Sequence, residues 1–418
     1  MILRAPVAQL LRHLCISAAW VVAATALMFT TLAARADSVV AWGFNTYYEL
    51  GDGTFTARPS PVAVTGMGSG VTSIAGGGYH SLAVKDGAAY AWGYNGFGQL
   101  GMGAINQQHT LFAVVELGSG VTAVAAGQSH SLAVRNGAAY GWGNNAYGQA
   151  GDGTVTHRPA PVAIAELDSG VTAIAGGSYH SLAVRNGAAY GWGFNENGEI
   201  GDGTTTNRSA PVPVTGLGSG VTAIAGGGKH SLAVQNGAVY AWGLNWQGQR
   251  GDGTTISQTV PVPVTGLDSG VSAIAAGYSH SLAIKEGAVY AWGENVNGEL
   301  GDGTTIDRIL PIRVSPAELT NIIAVAAAAG SSYALASDGS IWAWGTNSVG
   351  ELGLGDKITP YLTPQHLLPP IGYQFTGIDA DGMGSHAVAT LTAIPEPGSL
   401  ALLVPCSLAL LARKRPRA

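Results

Sequence analysis

A Trp-Gly pair recurs at Trp42, Trp92, Trp142, Trp192, Trp242, Trp292 and Trp344, in steps of 50 residues with a last step of 52. Self-similarity at a period of this length belongs to solenoids, arrays and propellers, and it governs how every local signal is read. The 418 residues could hold two or three ordinary domains, but the repeat argues for one closed array.

The unit over residues 171–217 shows what is repeated. Val171 to Ala175 alternates, Gly176-Gly177 interrupts it, and His180 opens a second apolar run to Val184. Asn186-Gly187 comes next, the turn signal that favours positive φ at both central residues of a type I′ hairpin. The chain returns through Ala189 to Gly193, crosses a Gly- and Asn-rich loop, and ends in Pro211-Val-Pro-Val214. Four short antiparallel strands per repeat describe a propeller blade. With 63 glycines in the chain, no apolar stripe of helical period survives in the body. Small side chains in the first strand suit the crowded centre of a ring. A proline-bearing fourth strand suits the rim, where a missing N–H costs no ladder bond.

The Trp-Gly half begins at once, in Ser38 to Trp42, without the half that contains the histidine. That missing half stands alone at the far end, in residues 378–391 with His386. The two complete one blade and leave no open sheet edge. The expected fold is all-β: a seven-bladed β-propeller of four-stranded blades, closed by its N- and C-terminal strands sharing one blade. Residues 37–391 form the propeller, 1–36 an export signal and 392–418 a sorting tail.

The stretch VTAIAGGGKHSLAVQNGAVYAWGLNWQGQRGDGT over residues 221–254 strongly resembles the regulator of chromosome condensation repeat. The match extends over nearly all of residues 38–391, and it implies a seven-bladed propeller. The phrases SVVAWG, GSGVTAIAGG and HSLAVKDG also resemble the secreted β-lactamase inhibitor protein II, which has shorter blades without a Gly-Asp-Gly-Thr loop. The family's namesake exchanges nucleotide on a small GTPase and binds chromatin. No residue here gives grounds for exchange.

Arg4 and Arg12, an apolar run from Leu14 to Leu32 and Ala34-Arg35-Ala36 make a secretory signal with cleavage before Asp37. At the other end, Pro395-Glu396-Pro397, an apolar segment Ser399–Ala412 and Arg413-Lys-Arg-Pro-Arg417 resemble a PEP-CTERM sorting tail of Gram-negative bacteria. The resemblance implies transient inner-membrane anchoring, processing by an exosortase, and release to the cell surface or matrix. The apolar segment is shorter than the ~20 residues of a spanning helix. Seven of the 19 basic residues and one of the 25 acidic residues lie in the termini, so the body carries 12 against 24. A net charge of −12 repels phosphate backbones and argues against a nucleic-acid partner. Cys15 and Cys406 both lie in the terminal segments, so a processed body has no thiol chemistry.

Six histidines recur at one repeat position: His80, His130, His180, His230, His280 and His386, with Tyr333 read at that position in the remaining blade. A ring spreads them apart, so they are read as structural groups that fix the first hairpin of each blade. The seven tryptophans are read as inter-blade packing. Asp52, Asp152, Asp202, Asp252 and Asp302 recur in Gly-Asp-Gly-Thr, which becomes Gly101-Met-Gly-Ala104 and Gly353-Leu-Gly-Asp356 elsewhere. One carboxylate per loop falls short of a Ca²⁺ site and suits an Asx-type turn. No metal, cofactor or catalytic set is expected.

Residues that change between copies carry more information. They sit before each His and after each Trp-Gly, which an up-and-down blade places on one face of the ring. That face displays Phe44, Tyr47, Tyr48, Tyr79, Tyr94, Phe97, Tyr147, Tyr179, Phe194, Trp246 and Tyr278, with Lys229, Glu196 and Glu294 among them. Rigid aromatics among Asn, Ser and Gly have the composition of a paratope. The expectation is an exported, monomeric, non-enzymatic module that binds a protein or an extracellular polymer. Two other readings are an enzyme inhibitor like the β-lactamase inhibitor and a polysaccharide-acting enzyme in the central channel. The latter calls for clustered carboxylates or histidines of perturbed pKa at the channel mouth.

Overall fold

The structure is a computed structural model that describes residues 38–105, 111–314, 319–380 and 384–394. The expected export signal over residues 1–36 and the expected sorting residues Pro395, Glu396 and Pro397 lie outside the described residues.

Seven four-stranded antiparallel sheets succeed one another along the chain. Their first strands define blades 1 to 7: Val71–Gly76, Val121–Ala126, Val171–Gly176, Val221–Gly226, Val271–Ala276, Ile322–Ala327 and Tyr373–Asp379. In blade 3 the order is Val171–Gly176, His180–Arg185, Ala188–Gly193 and Arg208–Pro213. The first strands of all seven blades line a central channel, and the proline-bearing strand is outermost. Asn186 and Gly187 turn the second strand into the third at φ 51° and 79°, the left-handed pair of a type I′ turn.

Blade 7 joins the two ends of the chain. Its strands in spatial order are Tyr373–Asp379, His386–Ala393, Ser38–Gly43 and Arg58–Ala63. Six successive pairs, from Ser38↔Leu391 to Gly43↔His386, zip the ends together. Both Ser38 and Ala393 therefore sit at the end of the strands opposite the loops that flank His386.

The core lies between blades rather than within them. Leu132, Val134 and Ile164 of blade 2 pack with Ala183 and Trp192 of blade 3, and the other junctions repeat this arrangement. The Trp-Gly tryptophans are fully buried. Gly151, at φ +76°, lets the blade 2 backbone approach Trp192 so closely that an added Cβ would stand 2.8 Å from the indole Nε1.

Candidate binding face

The repeated polar residues form one motif at six of the seven blade junctions. Between blades 2 and 3, Ser181 Oγ donates to the carbonyl of Gln149 at 2.9 Å. Trp192 Nε1 donates to the same oxygen at 2.9 Å. The serine's single proton is thereby used, so His130 must donate through Nε2 to Ser181 Oγ, 2.9 Å away. Identical sets run from His386 to Ser81, His80 to Ser131, His180 to Ser231, His230 to Ser281 and His280 to Ser332. Each histidine is thus a strut to the next blade. It also holds its own hairpin loop, as His180 does through the Gly177 N–H to His180 carbonyl bond and the packing of its ring on Gly177. Burial, reinforced by repulsion between neighbouring imidazoles, pushes His80, His130 and His230 down to about 3. Burial alone takes His180, His280 and His386 to about 4, so all six rings are neutral.

Blade 6 departs from the pattern, and Tyr333 is not at the histidine position. Ser331 pairs with Gly345 as His180 pairs with Gly193, which places Tyr333 where other blades carry leucine. Ala328 and Ala329 stand in for the loop glycines there, so Gly330 is not their counterpart, and matching it to them shifts the register.

The Gly-Asp-Gly-Thr loops are internally braced. Asp202 Oδ1 accepts from the Thr204 amide and hydroxyl, and Oδ2 from Arg208 Nε at 2.8 Å. Burial opposes ionisation of Asp202, but the Thr204 and Arg208 bonds outweigh it and hold the carboxyl below the usual range. Asn195 reaches Asp202 and the carbonyls of Thr204 and Thr206. Among the described residues no group of three or more His, Cys, Asp or Glu could hold a metal.

The varying residues share one face, because the amide after each Trp-Gly bonds the carbonyl of the residue before the neighbouring strand's opening position. Phe194 N donates to Tyr179 O, Leu244 N to Lys229 O and Glu294 N to Ser279 O. On this face most of the aromatics meet each other. Tyr47 is a hub, its ring centroid 6.4 Å from Phe44, 5.8 Å from Tyr79 and 5.0 Å from Tyr94. Phe97 extends the arc, 6.4 Å from Tyr94. A second group joins Tyr147 to Tyr179 at 5.6 Å and to Phe194 at 5.0 Å, with Lys229 Nζ 6.0 Å from the Phe194 centroid. Phe194 is buried; the other members are half-buried. Tyr48 packs on Phe55, apart from both groups. Trp246 and Tyr278 stand most open, at 70% and 42% exposure.

Beside the first arc, over blades 5 to 7, lies a cleft of about 250 Å³, whose wall residue Ser385 accepts the Phe44 amide. Tyr278, Glu294, Glu299, Glu351, Thr346 and Ser385 are among its walls. Burial raises Glu294, with Asp307 adding to it, and burial raises Glu299 and Glu351 against the hydrogen bonds that lower them. Of these three, only Glu294 stands out in the sequence, as a residue that varies between copies. Glu299 and Glu351 belong to a repeated Glu/Gln position whose side chain accepts the amide two residues earlier, as Glu299 Oε2 does from Asn297. Gln99, Gln149 and Gln249 make the same brace, so the position does not need a charge. Among the described residues the central channel, about 200 Å³, is walled by Ile, Val, Ala and Gly with one carboxylate, Asp379. Asp379 accepts the Gly76 amide of blade 1 at 2.9 Å, and burial pushes it up to about 7.

The family described as the regulator of chromosome condensation (RCC1) repeat matches seven successive segments of the chain, residues 37–84, 86–134, 136–184, 186–234, 236–284, 286–335 and 338–387. No curated protein sequence matches significantly. Among solved structures, human WBSCR16 shares 23% identity over 86% of this chain and 100% of its own, with a TM-score of 0.75. Prp20p from Saccharomyces cerevisiae, whose structure was described together with its binding to Gsp1p and histones, shares 22% identity over 89% and 95%, with a TM-score of 0.77. Yeast RCC1 (Prp20) bound to Kap60 gives 22%, 88%, 91% and 0.76. These likenesses establish the fold.

Proposed function

The chain belongs to the regulator of chromosome condensation repeat family, and we propose that in this member the propeller is an exported, non-enzymatic scaffold. Its variable face binds a protein or surface polymer in the envelope or matrix of a Gram-negative bacterium. One observation carries this reading: the residues that differ between copies gather on one face, as two aromatic groups and an acid-walled cleft. Large rings with few rotors on a rigid frame give contact area at low entropic cost. The export signal and the sorting tail support the location.

The test is capture of partners from the envelope fraction, then affinity measurement with the purified partner. Tyr47→Ser, Tyr94→Ser and Trp246→Ser together should weaken binding at least about a hundredfold, as loss of interface anchors does. Changes on the opposite face, such as Arg185→Ser, should leave it intact. Equal loss from both faces would overturn the assignment.

The acid-walled cleft also favours a second reading, an enzyme acting on polysaccharide. Release of reducing ends or unsaturated products from envelope polymer, abolished by Glu294→Gln, would select it over the binding module.

A further inference from the structure

Among the described residues the face opposite the variable loops turns apolar beside the place where the chain leaves blade 7, and over five of its seven connectors it is polar and nearly invariant. There the connectors from an outermost strand to the next inner strand repeat Met67-Gly-Ser-Gly70, Leu117-Gly-Ser-Gly120, Leu167-Asp-Ser-Gly170, Leu217-Gly-Ser-Gly220 and Leu267-Asp-Ser-Gly270. Between blades 6 and 7 the same connection reads Leu367-Leu-Pro-Pro-Ile-Gly-Tyr373. Leu367 is buried like its counterparts, but Leu368 is 65%, Ile371 102% and Tyr373 42% exposed. Ile394, 52% exposed, is tied to this connector by its amide, which donates to Gly372 O at 2.8 Å. Ile323 of the adjoining blade 6, 57% exposed, takes the place of Thr72, Thr122, Thr172, Thr222 and Ser272. Exposed large apolar residues thus replace polar ones repeatedly on one side of one face, which is how an interaction surface is marked.

The chain beyond Ile394 indicates the occupant. Four residues, spanning at most about 14 Å at ~3.6 Å each, separate Ile394 from the apolar segment Ser399–Ala412 and its basic end. We propose that the Leu368–Tyr373 connector, with Ile394 and Ile323, is the surface by which the propeller rests against a phospholipid bilayer while residues 399–412 are inserted. Leucine and isoleucine then enter the acyl boundary and Tyr373 sits at the headgroup level, as interfacial aromatics do. The variable face is thereby turned away from the membrane, toward whatever it binds. The proposal rests on the anchoring reading of the tail.

The experiment uses the full chain with Cys15→Ser and Cys406→Ser, carrying one fluorophore on Ile371→Cys or, as control, on Trp246→Cys. Vesicles contain phosphatidylglycerol and brominated phosphatidylcholine, whose bromines quench on contact. Strong quenching at 371 with none at 246 is expected. Leu368→Ser, Ile371→Ser and Tyr373→Ser together should weaken vesicle binding about tenfold or more by removing buried apolar area. If the chain floats with vesicles but position 371 is unquenched, the patch assignment is overturned and the anchoring stands. If the chain does not float, or floats equally well with Leu403→Glu and Leu410→Glu, the anchoring reading is overturned and the patch assignment with it. Concentration-dependent dimerisation that is lost in the triple-serine variant would assign the patch to a second copy instead.

Discussion

Six blade junctions are built alike, and the one between blades 6 and 7 is not. At the six, a neutral histidine, a serine, a carbonyl and an indole N–H are joined across the boundary. At the seventh, Ser331 replaces histidine and Ala387 replaces serine. Tyr333 OH takes the Glu351 carbonyl at 2.6 Å from its own blade, and Trp42 Nε1 has no partner. Trp42 meets Tyr333 and Phe375, each at 6.3 Å between centroids, in a wholly buried aromatic trio. Polar struts thus give way to ring packing where the two ends of the chain must find each other. Histidine and serine are replaced together there, as the two members of one bond, while the indole is retained.

The sharpest way to separate the two kinds of junction is acid. The six imidazoles titrate near 6.5 unfolded and at about 3 to 4 folded, so between those values only the unfolded chain takes up protons. Their contribution is complete above pH 6.5 and is lost as pH falls toward 4. Glu49 and Asp379, raised by burial to about 7, act in the opposite sense, and their contribution is lost as pH rises through 7. The difference of about four protons near pH 5.5 makes stability fall by about 5 kcal/mol per pH unit at most. Urea unfolding at pH 7, 6 and 5 measures it. His180→Asn should reduce the slope by about one proton, whereas Tyr333→Phe, at the seventh junction, should leave it unchanged. Equal slopes for all three proteins would remove the distinction.

A smaller effect comes from one position present in both contexts. An added Cβ at Gly177 would stand 2.1 Å from His180 Cε1, although the backbone there has no positive φ. Gly177→Ala should therefore destabilise by about 1–3 kcal/mol through overpacking. Ala328 occupies the same place opposite Ser331, and there Ala328→Gly should cost only about 0.5–1 kcal/mol, from backbone entropy. Combining Gly177→Ala with His180→Ser should recover part of the loss. An absence of coupling would mean that the imidazole is not what excludes the methyl group. Likewise Trp192→Phe should cost about 1 kcal/mol more than Trp42→Phe, because only Trp192 donates a hydrogen bond.

Much of the fold is legible in the sequence because its signals are local and repeated. The Trp-Gly period gives the blade count, Asn186-Gly187 gives a hairpin, and the divided copy gives the closure through blade 7. The histidine struts escape such a reading because each partner lies 51 or 52 residues away in the next repeat, or 305 residues away for His386 and Ser81. A signal exists, since His-Ser recurs as a dipeptide and both members are altered around the seventh junction. The gathering of varying residues on one face comes from strand direction alone. Whether those rings face water or each other does not, because Tyr47 meets Tyr79 and Tyr94 only through the neighbouring blade. The cleft is hidden for the same reason: Glu294 and Glu299 come from one copy and Glu351 from the next.

The smallest expected effect tests whether concerted substitution also operates within a blade. Four of the Gly-Asp-Gly-Thr loops pair their aspartate with an arginine six residues on, as Arg58 does with Asp52 and Arg308 with Asp302. In blade 4 that position is Gln258, and Arg250, 1% exposed where other copies carry Leu50, Leu100 or Ile200, supplies the guanidinium to Asp252 instead. Arg250 also donates to the Ile256 carbonyl. Arg250→Leu restores the apolar side chain and removes the ion pair, so its net effect should lie within about 1 kcal/mol of zero. Adding Gln258→Arg to that variant should stabilise it by about 0.5–1 kcal/mol, the worth of a partly exposed pair. The same Gln258→Arg in the parent chain should do nothing, because Asp252 is already paired. A thermal-unfolding double-mutant cycle reads the difference, and additivity of the two changes would show that Arg250 is not the substitute for the missing arginine.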